Sequence, residues 1–307
     1  MTIAIRPETV TDYAAIADLH ARAFGCRSSE ALIVAMHRHR RAFDADLSLV
    51  AVRDEHVVGH VLFSTHQLRL CDQDVAAVNL APIAIDPACQ RQGIGGQLIA
   101  EGHRVAAVKG HQLSFVLGHT AYYPRFGYRT HAYGAAQTRI VVTAHHAAAL
   151  QGHSPVDADL PALRALWRLD EAAVDFALDP GPDLLDWLSP NPAVQATVYT
   201  LDGQVVGYSR IHAAEPDKPR VFLARTGAHA RSMASLIAYN AQASQLSLPI
   251  HPAAVAATGF GLLACESWAA GMACELAPSP LPEYLAHVEA GQRKPGRVTW
   301  PPAFDLE

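Results

Sequence analysis

Residues 79–96 read NLAPIAIDPACQRQGIGG. A short apolar run at 80–85 leads into a glycine-rich turn, and a helical pattern of apolar residues begins directly after it, which predicts a strand, a turn and the start of a helix. The first N–H groups of a helix have no partner inside it, and together with the helix dipole they suit a pyrophosphate. Gly93, Gly95 and Gly96 favour this interpretation, because a Cβ would keep the backbone away from phosphate oxygens and would resist a positive φ.

Two common phosphate motifs do not fit these glycines. The phosphate loop of kinase-type NTPases needs G-x-x-x-x-G-K-[ST], and no Lys-Ser or Lys-Thr pair follows the turn. The dinucleotide fingerprint G-x-G-x-x-G fails because Ile99 and Ala100 stand near the place of its third glycine. The pattern [QR]-x-x-G-x-[GA] does fit, through Gln90, Gly93 and Gly95, although an ordinary β–α turn could use the same residues. At this turn the chain resembles the GNAT superfamily of acyl-CoA-dependent N-acyltransferases.

Neighbouring segments extend the resemblance to roughly residues 1–145. Residues 121–128 read AYYPRFGY, and Tyr123 stands four residues before the Gly-Tyr pair, which is the family's spacing at the end of its last helix. Alternating apolar residues around RDEH at 53–56 predict a β-hairpin. The blocks follow the family's order and are most similar to its bacterial predicted-acetyltransferase branch. The resemblance implies an α/β fold of the α+β type, with a central mixed sheet flanked by helices.

Bulk composition excludes several other classes of protein. The 307 residues are half apolar, and the five cysteines form no C-x-x-C pair, so neither a zinc ribbon nor a thioredoxin-type site is expected. No histidine pair has supporting ligands at metal spacing, and we expect no metal. Free cysteines without a signal peptide predict a reducing cytoplasm, and no apolar run approaches the roughly 20 residues that span a bilayer. Residues 1–150 carry 14 Lys+Arg and 12 Asp+Glu (+2), whereas 151–307 carry 10 and 17 (−7), which argues against nucleic-acid binding.

The second half of the sequence contains a weak internal repeat of the first. Residues 11–19 match 158–166 at a shift of 147, and the hairpin residues Val57-Val58-Gly59 recur at a shift of 148. The helical residues Leu98-Ile99-Ala100 recur at a shift of 138. We therefore predict tandem GNAT-like domains, followed by an extended tail that Trp300 anchors. The predicted bounds are 1–148 for the acetyltransferase domain, 153–290 for a degenerate copy and 291–307 for the tail.

The degenerate copy is expected to hold no cofactor. The shift of 138 places residues 228–233 at the phosphate turn, and none of them is glycine. Such a domain could bury the open side of the first one, shape the acceptor cleft, or form a homodimer.

The resemblance also implies a set of site residues. Acetyl-CoA would be the acyl donor, its pantetheine lying along the strand edge of Ile83, Ala84 and Ile85, and backbone N–H groups near Ala84 and Ile85 would polarise the thioester. Tyr123 would be the general acid that protonates the departing thiolate, and His119 a base or an acceptor contact. The pyrophosphate would bind to the turn residues Gln90, Arg91, Gln92, Gly93, Ile94, Gly95 and Gly96.

The general base and the acceptor are less well defined. Some family members have a glutamate where this chain has Asn79, and an amide cannot remove a proton from an amine. A water relay, a base elsewhere or a loss of turnover would each be consistent with that departure. We expect the acceptor, a small-molecule amine or a protein amine, near residues 24–27, where Arg27 hints at a carboxylate. The alternative function is a non-catalytic acyl-CoA-binding sensor or scaffold.

Overall fold

The computed structural model describes residues 3–142, 150–261 and 263–306. The predicted domain boundary near residues 145–154, between the units 1–148 and 153–290, lies partly outside them. The helices are α1 (Tyr13–Ala23), α2 (Ser29–Arg38), α3 (Ile94–Val108), α4 (Leu160–Asp170), α5 (Gly227–Asn240) and α6 (Leu281–Glu289). The strands are β1 (Ala4–Pro7), β2 (Ser48–Arg53), β3 (His56–Leu70), β4 (Gln73–Ile85), β5 (Leu113–Leu117), β6 (Tyr133–Ala136), β7 (Thr138–Val141), β8 (Gln151–His153), β9 (Ala177–Leu178), β10 (Val194–Leu201), β11 (Gln204–His212), β12 (Val221–Ala224), β13 (Gln245–Leu248), β14 (Cys265–Ser267), β15 (Gly271–Glu275) and β16 (Gly296–Arg297).

The main sheet confirms the predicted mixed α/β fold. Its strand order is β1-β2-β3-β4-β5-β15, with β9 beside β3, and the pair β4–β5 is its parallel step. Helix α3 makes the crossover between those two strands. The parallel ladder joins Ala77 to Leu113 and ends where Asn79 meets Phe115. Because β4 runs on to Ile85 and β5 to Leu117, the two strands separate beyond this point and leave an edge of β4 open.

The second half repeats the antiparallel part of this arrangement. Its sheet has the order β12-β11-β10-β8, which matches β4-β3-β2-β1, and α1 and α4 are both 11 residues long at a shift of 147. The predicted shift of 138 for the helix after the turn is wrong, because α3 begins at Ile94 and α5 at Gly227, which is a shift of 133. Residues 228–233 consequently lie inside α5, and the counterpart of Gly93 is Thr226, which caps that helix.

Strand pairing joins the two halves to each other. The second-half strand β15 pairs with β5, β13 pairs with the first-half strand β7, and β14 pairs with β6, each time antiparallel. The division into 1–148, 153–290 and 291–307 stays a prediction, and strands of the second unit and of the tail pair with strands of the first.

The hydrophobic core also combines side chains from both halves of the chain. Phe63, Leu98 and Val116 share one buried cluster with Met272 from β15. The ring of Trp300 in the tail lies 6.5 Å from that of Phe115 and 6.3 Å from that of Tyr133. Among the described residues, none of the helices has the length and apolar character needed to cross a lipid bilayer.

Candidate functional site

A cleft of about 1030 Å³ opens where β4 and β5 separate. All of the predicted site residues except Gln92 line this cleft. Its walls are built by the end of β4, the turn that follows it, the start of α3, the end of α1 and the segment after β5. The lining residues are Ala23, Phe24, Ile83, Ala84, Ile85, Cys89, Gln90, Arg91, Gly93, Ile94, Gly95, Gly96, His119, Tyr122, Tyr123, Arg125 and Phe126.

The end of β4 presents backbone groups to the cleft. On one side, Ile85 pairs with Gly59 of β3, and the N–H of Asp86 donates to the carbonyl of Val58 at 3.0 Å. Successive N–H groups of a strand point to opposite edges. The N–H of Asp86 therefore faces β3, and those of Ile83 and Ile85 face the open edge.

Three side chains hold the glycine-rich turn in shape. The Gln90 amide donates to the carbonyl of Ile85 at 3.3 Å, and an Asp86 carboxylate oxygen accepts from the N–H of Ala88 at 3.0 Å. Gln92 lies outside the cleft, where its carbonyl accepts from Arg53 at 2.7 Å. These bonds tie the turn to the end of β4 and to Arg53. Gln92 thus supports the turn through its side chain.

The turn bends through two left-handed residues into α3. Arg91 has φ +61° and Gly93 has φ +80°, and successive N–H groups in such a bend form a concave anion-binding surface. Gly93 is the N-cap, and no side chain among the described residues caps the helix there. The first helical bond runs from the N–H of Gln97 to the carbonyl of Gly93 at 3.1 Å. The N–H groups before Gln97 have no carbonyl within the helix to bind.

The glycines of α3 let aromatic residues cover its first turn. A Cβ on Gly95 would lie 2.5 Å from the Tyr122 hydroxyl, and one on Gly96 would lie 3.0 Å from the ring of Phe126. Both aromatic residues line the cleft. Arg125 stacks its guanidinium 4.7 Å from the ring centre of Tyr122 and adds a positive charge to the same wall.

Tyr123 is buried at the inner end of the cleft. Its ring packs edge-on against Tyr122 and Tyr128 at 5.2 and 5.7 Å, and a Cβ on Gly118 would lie 2.3 Å from it. Burial, with a smaller effect of Tyr122, raises the pKa of Tyr123 to about 12. The hydroxyl therefore carries its proton throughout the physiological pH range.

His119, the candidate base, and Asn79, at the position where some relatives have a glutamate, line different cavities. His119 is exposed and lines the cleft, and its carbonyl accepts from the N–H of Tyr122 at 3.0 Å. Asn79 is fully buried and lines a different cavity. Of the predicted acceptor loop at 24–27, only Phe24 lines the cleft.

A buried network of polar side chains lies on the β3 side of the open edge of β4. His20 Nε2 is 2.8 Å from His60 Nδ1, and His60 Nε2 is 3.4 Å from a carboxylate oxygen of Glu8, which also binds Arg38. Burial alone would raise the pKa of Glu8, but the bonds from Arg38 and His60 outweigh it and lower that pKa to about 2. His60 pairs directly with Ala84. The carboxylate of Glu8 and the neutral imidazoles of His20 and His60 thus support the strand edge.

Sequence reasoning missed five residues of the cleft, which are Ala23, Cys89, Tyr122, Arg125 and Phe126. Arg125 and Phe126 stand in the segment at 121–128 that was singled out for its spacing. The aromatic character of this segment next to a glycine-rich helix start was the available signal. Ala23 and Cys89 carry no chemical signature of their own.

Comparisons with known proteins agree on one family. The family model "Acetyltransferase (GNAT) domain" matches residues 4–131. The chain is 36% identical to the uncharacterized N-acetyltransferase YjhQ of Escherichia coli K12 over 119 residues, which are 38% of this chain and 65% of YjhQ. It is 34% identical to the uncharacterized N-acetyltransferase YhbS of the same strain over 130 residues, which are 42% of this chain and 75% of YhbS.

Solved structures also match the chain over both halves. A GCN5-related N-acetyltransferase from Kribbella flavida superposes with a TM-score of 0.69 over 89% of this chain and 70% of its own. The sequence identity is 16%, so this similarity concerns the fold.

Proposed function

The chain belongs to the GNAT family of acetyltransferases, and we propose that its first half transfers an acetyl group from acetyl-CoA to a primary amine. The observation that carries the proposal is the composition of one cleft. An uncapped helix start behind a left-handed glycine turn, an open strand edge and a buried tyrosine all line it. These are the parts that acyl transfer from a thioester needs.

The cleft fits the acyl donor in size, shape and charge. Its volume of about 1030 Å³ suits an extended nucleotide thioester. The N–H groups from Arg91 to Gly96 would hold the pyrophosphate at the start of α3, and the side chains of Arg91 and Arg125 would add charge-assisted contacts. The pantetheine would lie along the free edge of β4.

The open edge of β4 also supplies the groups that polarise the thioester. We assign this role to the N–H groups of Ile83 and Ile85, because that of Ala84 is directed toward β3. A backbone donor aimed at the developing oxyanion is typically worth about 10²–10³ in rate. Holding the amine and the thioester together supplies much of the remaining acceleration.

The chemical step moves one acetyl group and two protons. The lone pair of the neutral amine attacks the thioester carbonyl carbon, a C–N bond forms, and the C–S bond breaks. The sulfur leaves with the bonding electron pair and takes the hydroxyl proton of Tyr123. The extra proton on nitrogen passes to His119 or through water, and solvent returns a proton to Tyr123. The products are the N-acetyl amine and CoA.

Asn79 supports a second candidate, an acyl-CoA-binding sensor or scaffold without turnover. An amide at this position cannot act as a base. The two candidates differ in one measurable quantity, the release of CoA thiol from acetyl-CoA when amines are present.

We test the proposal by replacing Tyr123 with Phe. The variant should bind acetyl-CoA like the wild type in calorimetry, while its kcat falls by about 10²–10⁴, the usual contribution of a general acid. Tyr122→Phe is the matched control and should retain most of kcat. Equal losses of affinity and kcat in Tyr123→Phe would contradict the acid role. Acetyl-CoA binding without thiol release over a broad amine panel would instead favour the sensor.

A further inference from the structure

A second cavity of about 840 Å³ lies between the two halves of the chain. It meets the main sheet where β4 and β5 stop pairing, and Asn79, Ala81 and Leu117 line it. Further along the same strand, Ile83 and Ile85 line the cleft assigned to the acyl donor. The two cavities are therefore lined by neighbouring residues of the same strand, β4.

Asn79 forms the floor of this second cavity and has unused hydrogen-bonding capacity. Its side chain is fully buried, and neither its amide nitrogen nor its carbonyl oxygen has a partner among the described residues. Buried polar side-chain atoms in native proteins nearly always have a partner. A polar group of a bound molecule would satisfy both atoms of Asn79.

The other walls of the cavity are more positive than negative. The side chains that line it carry five positive and three negative charges, from Arg139, Arg210, Lys218, Arg220 and Arg297 against Glu215, Asp217 and Asp305. Most of these walls come from the second half and the tail.

Some of these charged side chains are fully engaged in ion pairs, whereas others keep hydrogen-bond donors that a ligand could use. Arg210 is 4% exposed and binds Asp305 at 2.8 Å, while Lys218 binds Glu215 at 2.8 Å. Arg220 is 31% exposed and shares Asp305 at 3.1 Å. Two guanidiniums on one carboxylate leave N–H donors of Arg220 available, since each guanidinium has five.

Arg139 is the clearest uncommitted cation in this cavity. It is exposed, and among residues 3–142, 150–261 and 263–306 it makes no ion pair. Strand pairing places it opposite Ser247, whose N–H donates to the carbonyl of Asp217 at 2.9 Å. Arg139 therefore stands next to the loop that carries Lys218 and Arg220.

We propose that this cavity is the acceptor site and that it takes a small amine bearing a carboxylate. The carboxylate would bind Arg139 and Arg220, and the amine would lie against Asn79 beside the thioester. This inference rests on the proposed acetyl transfer. The second half would then help to recognise the acceptor, because it contributes many of the residues that line the cavity.

The test compares acceptors that differ only at the carboxylate. One set is lysine, lysinamide and cadaverine, and the other is phenylalanine, phenylalaninamide and phenethylamine. Charge-assisted hydrogen bonds to a carboxylate predict that kcat/KM for the amino acid exceeds that of its two analogues by about 10- to 100-fold. Arg139→Gln and Arg220→Gln should each reduce this preference and leave acetyl-CoA affinity unchanged. Arg139→Gln breaks no ion pair, so its effect is separable from folding.

Arg27→Gln is the control, because Arg27 is also an exposed arginine and lines neither cavity. It should keep the wild-type preference. Equal rates with all three members of both sets, or equal loss of preference in Arg27→Gln, would overturn the proposal.

Calorimetry separates this inference from acetyl transfer itself. The amino acids are titrated into protein saturated with CoA, in wild type and in Arg139→Gln. Carboxylate-dependent binding that Arg139→Gln weakens would support the acceptor site even if no thiol is released, and only the transfer reaction would then fail. If neither set of acceptors shows binding or turnover that depends on the carboxylate, the proposed acceptor site is wrong.

Discussion

The turns that precede α3 and α5 occupy matching places in the two halves of the chain. In the first half, Arg91 and Gly93 have positive φ and no described side chain caps the helix. In the second half, Thr226 has φ −150° and accepts from the N–H of His229 at 3.2 Å. The first helix end thus keeps its N–H groups for a ligand, whereas the second satisfies one with its own side chain.

The edges of the corresponding strands β4 and β12 also differ, because the first is open and a side chain covers the second. Ala23 at the end of α1 lines the open cleft, and its counterpart at the end of α4 is Asp170. The buried carboxylate of Asp170 accepts from the N–H of Ala224 at 3.4 Å and from that of Ala256 at 2.6 Å. A side chain of the protein therefore fills the place where the first half offers room for a thioester.

A third difference lies above the two helix starts. The first residue of α5, Gly227, packs against backbone, and a Cβ on it would lie 2.4 Å from the nitrogen of Gly259. The first turn of α3 meets the side chains of Tyr122 and Phe126 instead. Side chains can shift to admit a ligand more easily than packed backbone can. Duplicated architecture alone does not make a binding site, since small local changes close one copy.

Among the changes that test the contrast between the two helix starts, Gly93→Val should have the largest effect, because it alters the open turn. A β-branched residue resists the left-handed conformation that Gly93 adopts, so the turn would rearrange and withdraw N–H groups from the pyrophosphate. Losing one or two charge-assisted hydrogen bonds predicts about 10- to 100-fold weaker CoA binding. Isothermal titration with CoA measures the effect.

Gly203→Val supplies the matched control for Gly93→Val. Gly203 has φ +76° and, like Gly93, has nothing within 4 Å of an added Cβ, but it lies at the hairpin tip between β10 and β11. It should therefore lose stability and keep CoA affinity. If Gly203→Val weakened CoA binding as much as Gly93→Val, the loss of binding would be a general effect of backbone strain. It would then not support the contrast between the two halves.

The local parts of this contrast could be predicted from the sequence. The strand, turn and helix of 79–96 depend on neighbouring residues, and the structure places these elements together. The repeat at a shift of 147 was readable because residues 11–19 match 158–166, and the helices that contain these residues begin at Tyr13 and at Leu160. The later shift was misjudged because three apolar residues are common in any helix, and only the position of the cap separates a true match from a chance one.

The long-range parts could not be predicted. The pairing of β15 with β5 joins Gly271–Glu275 to Leu113–Leu117, which are far apart in the sequence, and no local pattern specifies which edge a short apolar strand will cover. Asn79 was noticed as a missing base. Its burial without partners, and the cavity it faces, depend on strands and loops from both halves.

The first half buries more histidine side chains than the second, which predicts a smaller effect. Among the described residues, His20, His37, His60 and His66 are buried in the first half and His251 in the second. Burial, with a smaller effect of Arg40, lowers the pKa of His37 to about 3. The unfolded chain then binds a proton near pH 6.5 that the folded chain does not. The stabilising contribution of His37 is therefore complete above pH 6.5 and lost as the pH falls toward 3.

His37→Gln should make the free energy of unfolding less sensitive to acid. Between pH 7 and pH 5 the wild type should lose about 2 kcal/mol through this one histidine, and the variant should not. Denaturant unfolding at both pH values measures the difference, and His39→Gln controls for an exposed neighbour. An unchanged pH dependence in His37→Gln would show that His37 does not contribute.

Thr226→Ala gives the smallest expected effect and tests why the second turn is closed. Removing the hydroxyl frees the N–H of His229 and should cost about 1 kcal/mol of stability, while Thr226→Ser should stay near the wild type. Calorimetry on Thr226→Ala should still show CoA bound at one site, because Asp170 and Gly259 continue to occupy the strand edge and the helix start. A second CoA site in this variant would mean that the cap alone separates the two halves, and the carboxylate and the packed backbone would then be secondary.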